Sequence, residues 1–327
     1  MIRNRTKLLS IIIISFIIII SFSASIQSNE YKNSTSFIEK NNSDEHYFVQ
    51  ITDTHILHRL FDKKKTTTEN FEKVLNEIKS FDKKPEFIVI TGDLVEWGGF
   101  GLTGAMNYKT FTSFFYEHDN QFYFDEEFSI PVYTTPGNHD YRWSTRLNNY
   151  NRLVDKKHEE EEEGYIIKHE NLSLFFMDSG HDYLLNPWGW IRSDGLHVKG
   201  SGLKDKDITW LNNSLNECDS KFKIILMHHP AIDKKDNSDD MLDVIARNRL
   251  EFIQICERNN VELVLTGHTH KNAVFDELEN IYENIHLNCS TYSTLYVQTN
   301  DCKDDSTYRN ITIINNDIWL EAAKQVY

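Results

Sequence analysis

Five short apolar runs in this 327-residue chain each stop abruptly on Asp, His or Asn. Tyr47–Thr52 is followed by Asp53, Thr54 and His55. Phe87–Thr91 is followed by Gly92 and Asp93, and Val132–Thr135 by Gly137, Asn138, His139 and Asp140. Phe222–Met227 leads into His228, His229 and Pro230, and Val261–Leu265 into Thr266, Gly267, His268, Thr269 and His270. Runs of four to six apolar residues bounded by turn signals read as buried strands. Segments of helical period separate them: Glu69–Ser80, with Phe71, Val74, Leu75 and Ile78 on one face, then Tyr108–Glu117, Lys204–Asn216 and Asp243–Asn259. Strand–helix alternation predicts an α/β fold with partly parallel sheets. Leu172–Met177 reads as a further strand, and the tail from Asn284 holds strand-like runs at Tyr292–Thr299 and Asn310–Ile314. No repeat or second domain is apparent. In open α/β sheets the ligand crevice lies at the carboxyl ends of the strands, so all five polar clusters converge there.

Their chemistry is uniform. Asp53, His55, Asp93, Asn138, His228, His268 and His270 offer oxygen and nitrogen donors and no sulfur. That set suits Fe, Mn, Zn, Co or Ni rather than a thiolate-loving metal. One ion takes about four to six such donors, so seven sharing a carboxylate imply two ions. Asp93 is the natural bridge, having two oxygens and a full charge. Two metals about 3.5–4 Å apart can share a hydroxide and clamp both oxygens of an in-line phosphoryl displacement. His228 and His229 are neighbours. On a strand they would face opposite ways, so one is expected to reach the metals and the other to stand behind or at the surface.

The ordered set Asp53-Thr-His55, Gly92-Asp93, Gly137-Asn138-His139-Asp140, His228 and Gly267-His268-Thr-His270 resembles the calcineurin-like metallophosphoesterase superfamily over about residues 46–275. The resemblance implies a four-layer α/β/β/α sandwich with a dinuclear centre in its mouth. It implies Asp53, His55, Asp93 and His270 on one metal, and Asp93, Asn138, His228 and His268 on the other. The family's His-x-Pro pattern selects His228 over His229. His139 then serves the leaving oxygen as the catalytic non-ligand histidine, with Glu96, three residues after Asp93, as its partner. The phosphatase branch of the family carries an Arg where this chain has Trp97. A bidentate phosphate clamp is lost there, which favours phosphodiesters over phosphomonoesters, and Arg142 is the candidate replacement. The function so implied is attack by a metal-bridging hydroxide on a phosphodiester or small phosphate ester. The alternatives are a phosphomonoesterase of acid-phosphatase or nucleotidase type, and a silent metal-holding binding protein. The latter should lack a donor or His139, and none is missing.

The formal charge of −15, without a basic stripe, argues against nucleic acid as partner and leaves a small phosphate ester. Arg3, Arg5 and Lys7 precede an apolar block from Leu8 to Phe22, then Ser23, Ala24 and Ser25. This reads as a secretion signal spanning residues 1–25, with a membrane anchor over residues 8–26 as the alternative. Cleavage takes the charge from −15 to −18. A polar leader, residues 26–45, and a single domain, residues 46–327, complete the expected organisation of a secreted protein. In an oxidising compartment Cys218, Cys256, Cys289 and Cys302 are expected to pair in one of three ways that sequence alone does not choose between, Cys289 with Cys302 closing a short loop and leaving Cys218 with Cys256 being one; four free thiols are the alternative. Trp188 and Trp190 are candidate stacking residues or loop packing. His58, His181 and His197 read as ordinary polar residues, and the acidic run His158–Glu163 as a solvated loop.

Overall fold

The computed structural model describes residues 45–62, 65–144, 146–155, 157–160, 163–181, 201–233, 244–282 and 286–327. The N-terminal segment, Trp188, Trp190 and His197 lie outside them. The compact unit runs Asp44–Tyr327, and no helix among the described residues is long and apolar enough to cross a membrane.

Two sheets form the centre. The first contains β1 (Glu45–Ile51), β2 (Ile88–Thr91), β3 (Tyr116–His118), β4 (Gln121–Phe124), β5 (Ile130–Thr135), β12 (Leu287–Asn288), β14 (Thr307–Ile314) and β15 (Asp317–Leu320), in the order β12-β15-β14-β1-β2-β5-β4-β3, with β16 (Lys324–Gln325) on β14. The second contains β6 (Gly164–His169), β7 (Leu172–Met177), β8 (Phe222–Leu226), β9 (Leu263–Thr266), β10 (Ala273–Phe275), β11 (Ile281–Tyr282) and β13 (Leu295–Gln298), in the order β11-β10-β13-β9-β8-β7-β6. In the first, β1, β2 and β5 run parallel. In the second, β7, β8, β9 and β13 do.

Side-chain alternation sets the layers. Phe48, Val89, Leu174, Phe176, Ile224, Leu226, Leu263 and Leu265 point inward and form the core between the sheets. Val49, Ile88 and Ile90 point outward and meet α1 (Thr66–Ser80) and α2 (Gly101–Thr112) through Phe71, Val74, Leu75, Ile78, Tyr108 and Phe111. On the far side Phe175, Met177, Ile225 and Val264 meet α3 (Asp205–Glu217) and α4 (Arg249–Arg258) through Ile208, Leu211, Leu215, Phe252 and Ile255. Three cores separate four layers, as the sandwich requires. The tail is integral to the sheet: β14 lies antiparallel beside β1 with Phe48 opposite Ile311.

Three expectations change. Tyr108–Glu117 is not one helix. α2 starts at Gly101 and ends at Thr112, and Tyr116–His118 begins a hairpin whose turn, Asp119-Asn120, has φ of 51° and 59°, as a two-residue hairpin with both central residues left-handed requires. The Asp243–Asn259 helix starts only at Arg249, because the amides of Ala246 and Arg247 bond the Ser201 carbonyl instead of propagating a helix. All four cysteines are free thiols. Cys302 sits in the core under α1 and Cys289 in the core between the sheets, so the sheet itself separates that pair, while Cys256 lies on the buried face of α4 and Cys218, at the end of α3, packs at the edge of the same core. The run beginning at His158 enters through a helical turn, Lys157–Glu160, with the His158 ring 4.9 Å from that of Tyr165.

Candidate metal centre

The parallel strands end on one side of the two sheets, and there the backbone turns sharply. Asp53, His55, Asp93, His268 and His270 all have φ between 45° and 69°. Asp and His tolerate the left-handed region better than most residues, but five such positions store strain. Loop-to-loop bonds hold them: the amides of Asp53 and His55 donate to the carbonyls of Gly92 (3.2 Å) and Asp93 (2.9 Å), and the Gly267 amide donates to His228 O (3.0 Å).

All seven candidate donors come together. Asp93 Oδ2 lies 3.2 Å from His228 Nε2 and 3.6 Å from His55 Nε2. Asp53 Oδ1 lies 3.2 Å from His270 Nε2, 3.6 Å from His55 Nε2 and 3.9 Å from His228 Nε2. Asn138 Oδ1 lies 3.0 Å from His228 Nε2 and 3.1 Å from His268 Nδ1. Asp53 Oδ1 and His55 Nε2 are buried without a hydrogen-bond partner. The opposite ring nitrogens are anchored: His55 Nδ1 is 2.8 Å from Glu96 Oε2, and His228 Nδ1 is 2.9 Å from the Thr91 carbonyl. Rings pinned through one nitrogen with the other turned inward among the carboxylate and amide oxygens are arranged as metal ligands are. The free carboxylate oxygens are aimed by backbone donors, His139 N–H to Asp93 Oδ1 (2.7 Å) and His268 N–H to Asp53 Oδ2 (2.9 Å). Ligand atoms of Asp53, His55 and His270 fall within 4.8 Å of one another, as do those of Asp53, Asp93 and His228. The donor set fits metal ions, which these carboxylates and imidazoles would hold.

Electrostatics agrees. Burial opposes charge on His228 and His55, yet the carboxylates outweigh it: Asp93 and Asp53 raise His228 to about 9, and Asp53 and Glu96 raise His55 to about 10. Burial likewise opposes ionisation of Asp53 and Asp93, but the surrounding imidazoles hold both well below the ordinary carboxylate range. The pocket is a knot of compensating charges that metal ions would replace.

His139 stands just outside the donors, its Nε2 4.0 Å from Asp93 Oδ2. Its Nδ1 is 3.1 Å from the Glu96 carbonyl oxygen and 3.4 Å from the Glu96 carboxylate. Glu96 thus faces His139 as the sequence suggested, and also holds His55. Arg142 does not project freely into the cleft: its guanidinium pairs with Glu96 Oε1, and Nη1 is 3.2 Å from His139 Nδ1. Trp97 packs edge-on against Phe61, centroids 6.0 Å apart. His58 lies against the Phe61 ring and His181 against that of Tyr141.

Two residues escaped the pattern, and a third, His229, takes the place behind the donors rather than the surface. β8 ends at Leu226 and the chain bends at residues 228–229, so strand alternation no longer applies. His229 is fully buried, bonded through Nδ1 to Ser179 Oγ (2.8 Å), with its ring 4.3 Å from that of His268. Asp301 Oδ2 lies 3.6 Å from His270 Nδ1, and Lys303 Nζ 3.7 Å from Glu96 Oε2. Both follow β13, a parallel neighbour of β9. The rule of polar residues after parallel strand ends would have found them, had Tyr292–Thr299 been read as parallel.

The calcineurin-like phosphoesterase family model matches residues 46–272. The chain belongs to that family. It is therefore a metal-dependent phosphoester hydrolase. This phosphoesterase is 27% identical over 235 residues to a protein of Ruthia magnifica named as a probable cyclic nucleotide phosphodiesterase, covering 71% of the chain and 82% of that protein. A second protein so named, from Coxiella burnetii, is 25% identical over 159 residues, 48% of the chain and about half (55%) of its own length. Among solved structures, a dimetal phosphatase from Danio rerio superposes with a TM-score of 0.55 at 12% identity, covering 86% of the chain and 98% of that one. A purple acid phosphatase from yellow lupin gives 0.54 at 11%, covering 87% of the chain and 52% of the lupin protein. These structures share the fold.

Proposed function

We propose that this phosphoesterase hydrolyses phosphodiesters, with cyclic nucleotides the first class to test, using two transition-metal ions. The observation that carries the reading is the state of the cations at the cleft. Trp97 stands where the monoester-cleaving branch places its Arg, and Arg142, the candidate substitute, is paired with Glu96. A guanidinium held by Glu96 is not presented freely for bidentate contact with a dianionic monoester. A diester carries one charge and an organic group on each side. The names of the Ruthia and Coxiella relatives support the same class.

Asp53, His55, Asp93 and His270 would hold one ion, and Asp93, Asn138, His228 and His268 the other. Bound there, the ions supply Lewis acidity and lower the pKa of coordinated water. The remaining work belongs to side chains. His139 faces the cleft through Nε2 and protonates the departing oxygen, while Glu96, against its Nδ1, holds the ring. Asp93 accepts the His139 backbone N–H and so ties that histidine to the donors. The basic and apolar residues at the N-terminus support export of the enzyme, or its retention at a membrane; fractionation of the producing cell and N-terminal sequencing distinguish the two.

The test is hydrolysis of bis-p-nitrophenyl phosphate against p-nitrophenyl phosphate by the protein reconstituted with Mn, Zn, Fe, Co or Ni, with Asp93→Asn as control. The reading requires metal-dependent turnover favouring the diester, reduced about 100- to 1,000-fold in Asp93→Asn, the scale seen when one strong transition-state contact is removed. A preference for the monoester would replace it with the phosphatase alternative. Bound metal with no turnover of either would favour a silent binding protein.

A further inference from the structure

The family match stops at residue 272, yet the chain returns to the metal centre thirty residues later. The segment Asp301–Lys303 docks directly on the first donor loop: the Cys302 amide donates to Thr52 O and the Lys303 amide to Asp53 O, both at 3.0 Å. The Lys303 carbonyl accepts from Asn70 Nδ2 at 2.7 Å, and Asp301 caps the following turn by accepting the Asp304 amide at 2.6 Å. With both backbone groups bound, the direction in which the Lys303 side chain leaves the chain is set. It leads to the mouth of the cleft, where Nζ comes 3.7 Å from Glu96 Oε2 with the side chain 30% exposed.

We propose that Lys303 is the cation that receives the single negative charge of the substrate phosphodiester, a substrate-binding residue supplied by the C-terminal tail. This rests on the phosphodiester reading above. The 3.7 Å separation lies beyond hydrogen-bond distance, and a partly exposed pair of this kind is weak, so the amine is not committed to Glu96. Glu96 does not depend on it either, since His55, His139 and Arg142 already occupy that carboxylate. Arg142 is held and Lys303 is not. The surroundings also call for such a cation: Asp53, Asp93, Glu96 and Asp301 crowd the site on a chain of charge −15, and an incoming anion meets that field before it meets the metal ions. A compact ammonium on a flexible stem suits a monoanion that needs one contact, whereas a dianion favours the guanidinium fork.

The test compares Lys303→Met and Lys303→Arg with wild type in metal-loaded full-length protein. The readouts are KM and kcat for bis-p-nitrophenyl phosphate, inorganic phosphate affinity by calorimetry, metal content and melting temperature. Lys303→Met should raise KM and weaken phosphate binding about tenfold, the scale of one charge-assisted hydrogen bond. Metal content, melting temperature and kcat should change little, and Lys303→Arg should recover most of the loss. An unchanged KM and phosphate affinity overturns the proposal. So does a loss confined to kcat with a displaced pH profile, which would make Lys303 a support for Glu96 and His139. If wild type turns over no diester, the phosphodiester reading fails, and phosphate binding still decides the role of Lys303.

Discussion

Gly137 shows how tightly the centre is built. A Cβ at this position would fall on the backbone nitrogen and Oδ1 of Asp93 and 2.9 Å from its Cγ, where ordinary contact begins at 3.4 Å. The backbone nitrogen cannot swing aside, so Gly137→Ala must part the Asp93 and Asn138 loops by about 1 Å in a packed interior with little capacity to yield. Overpacking of this kind costs about 1–3 kcal/mol. The same shift breaks the His139 N–H bond to Asp93 Oδ1, a bond to a charged group worth about 1.5–3 kcal/mol. A combined loss of roughly 2.5–6 kcal/mol corresponds to a fall of about 5–20 °C in melting temperature for a domain of this size. Displacing Asn138 and His139 by about 1 Å should reduce hydrolysis about 100-fold. Gly101→Ala is the matched control. Gly101 has a φ of 45° and nothing within 4 Å of the place a Cβ would take, so only the left-handed backbone penalty of about 1–2 kcal/mol applies, and turnover should be unchanged. Thermal melts by circular dichroism, metal content by mass spectrometry and diester turnover decide the matter. Wild-type metal content and turnover in Gly137→Ala would refute the reasoning.

Two further outcomes follow from the protonation and thiol states. In the metal-free protein His55 and His228 sit at about 10 and about 9, above the ordinary value of 6.5. Their ion pairs therefore stabilise the fold fully below 6.5 and progressively less as pH rises through 9 and 10, while a metal must displace those protons. Metal affinity should climb with pH by up to about tenfold per unit for each proton displaced, as measured by competition with a chromophoric chelator and by proton release in calorimetry; a pH-independent affinity would contradict the charge assignment. Ellman's reagent should find at most one fast thiol in the native protein, Cys218, and four after denaturation, because the other three are buried; fewer than four in denaturant would mean that a disulfide forms.

How much of this was legible in the sequence differs from one residue to the next. Asp53, Asp93, Asn138, His228 and His268 could be named because each follows an apolar run, and strand ends gather ligands in α/β sheets. Arg142 was legible as a cation near the cleft but not as one paired with Glu96, because that pairing spans 46 residues. His229 was expected behind the donors or at the surface, and only the structure chose the buried place against Ser179. The helix expected over Tyr108–Glu117 ran past the true end of α2 because the Phe-rich stretch keeps its apolar pattern while Asp119-Asn120 turns the chain into a hairpin.

The sequence by itself determined the class of fold, the seven candidate donors that the structure gathers and their oxygen–nitrogen chemistry. Periodicity and local residue type are properties of neighbouring residues, and they survive without coordinates. Only the tertiary structure decided which distant groups meet: His268 N–H with Asp53 Oδ2 across 215 positions, Asp301 and Lys303 with a centre that the family pattern leaves behind, and Cys289 apart from Cys302 on opposite faces of one sheet. Those meetings depend on strand order and register, which are set by the packing of three cores together and by no single stretch of chain.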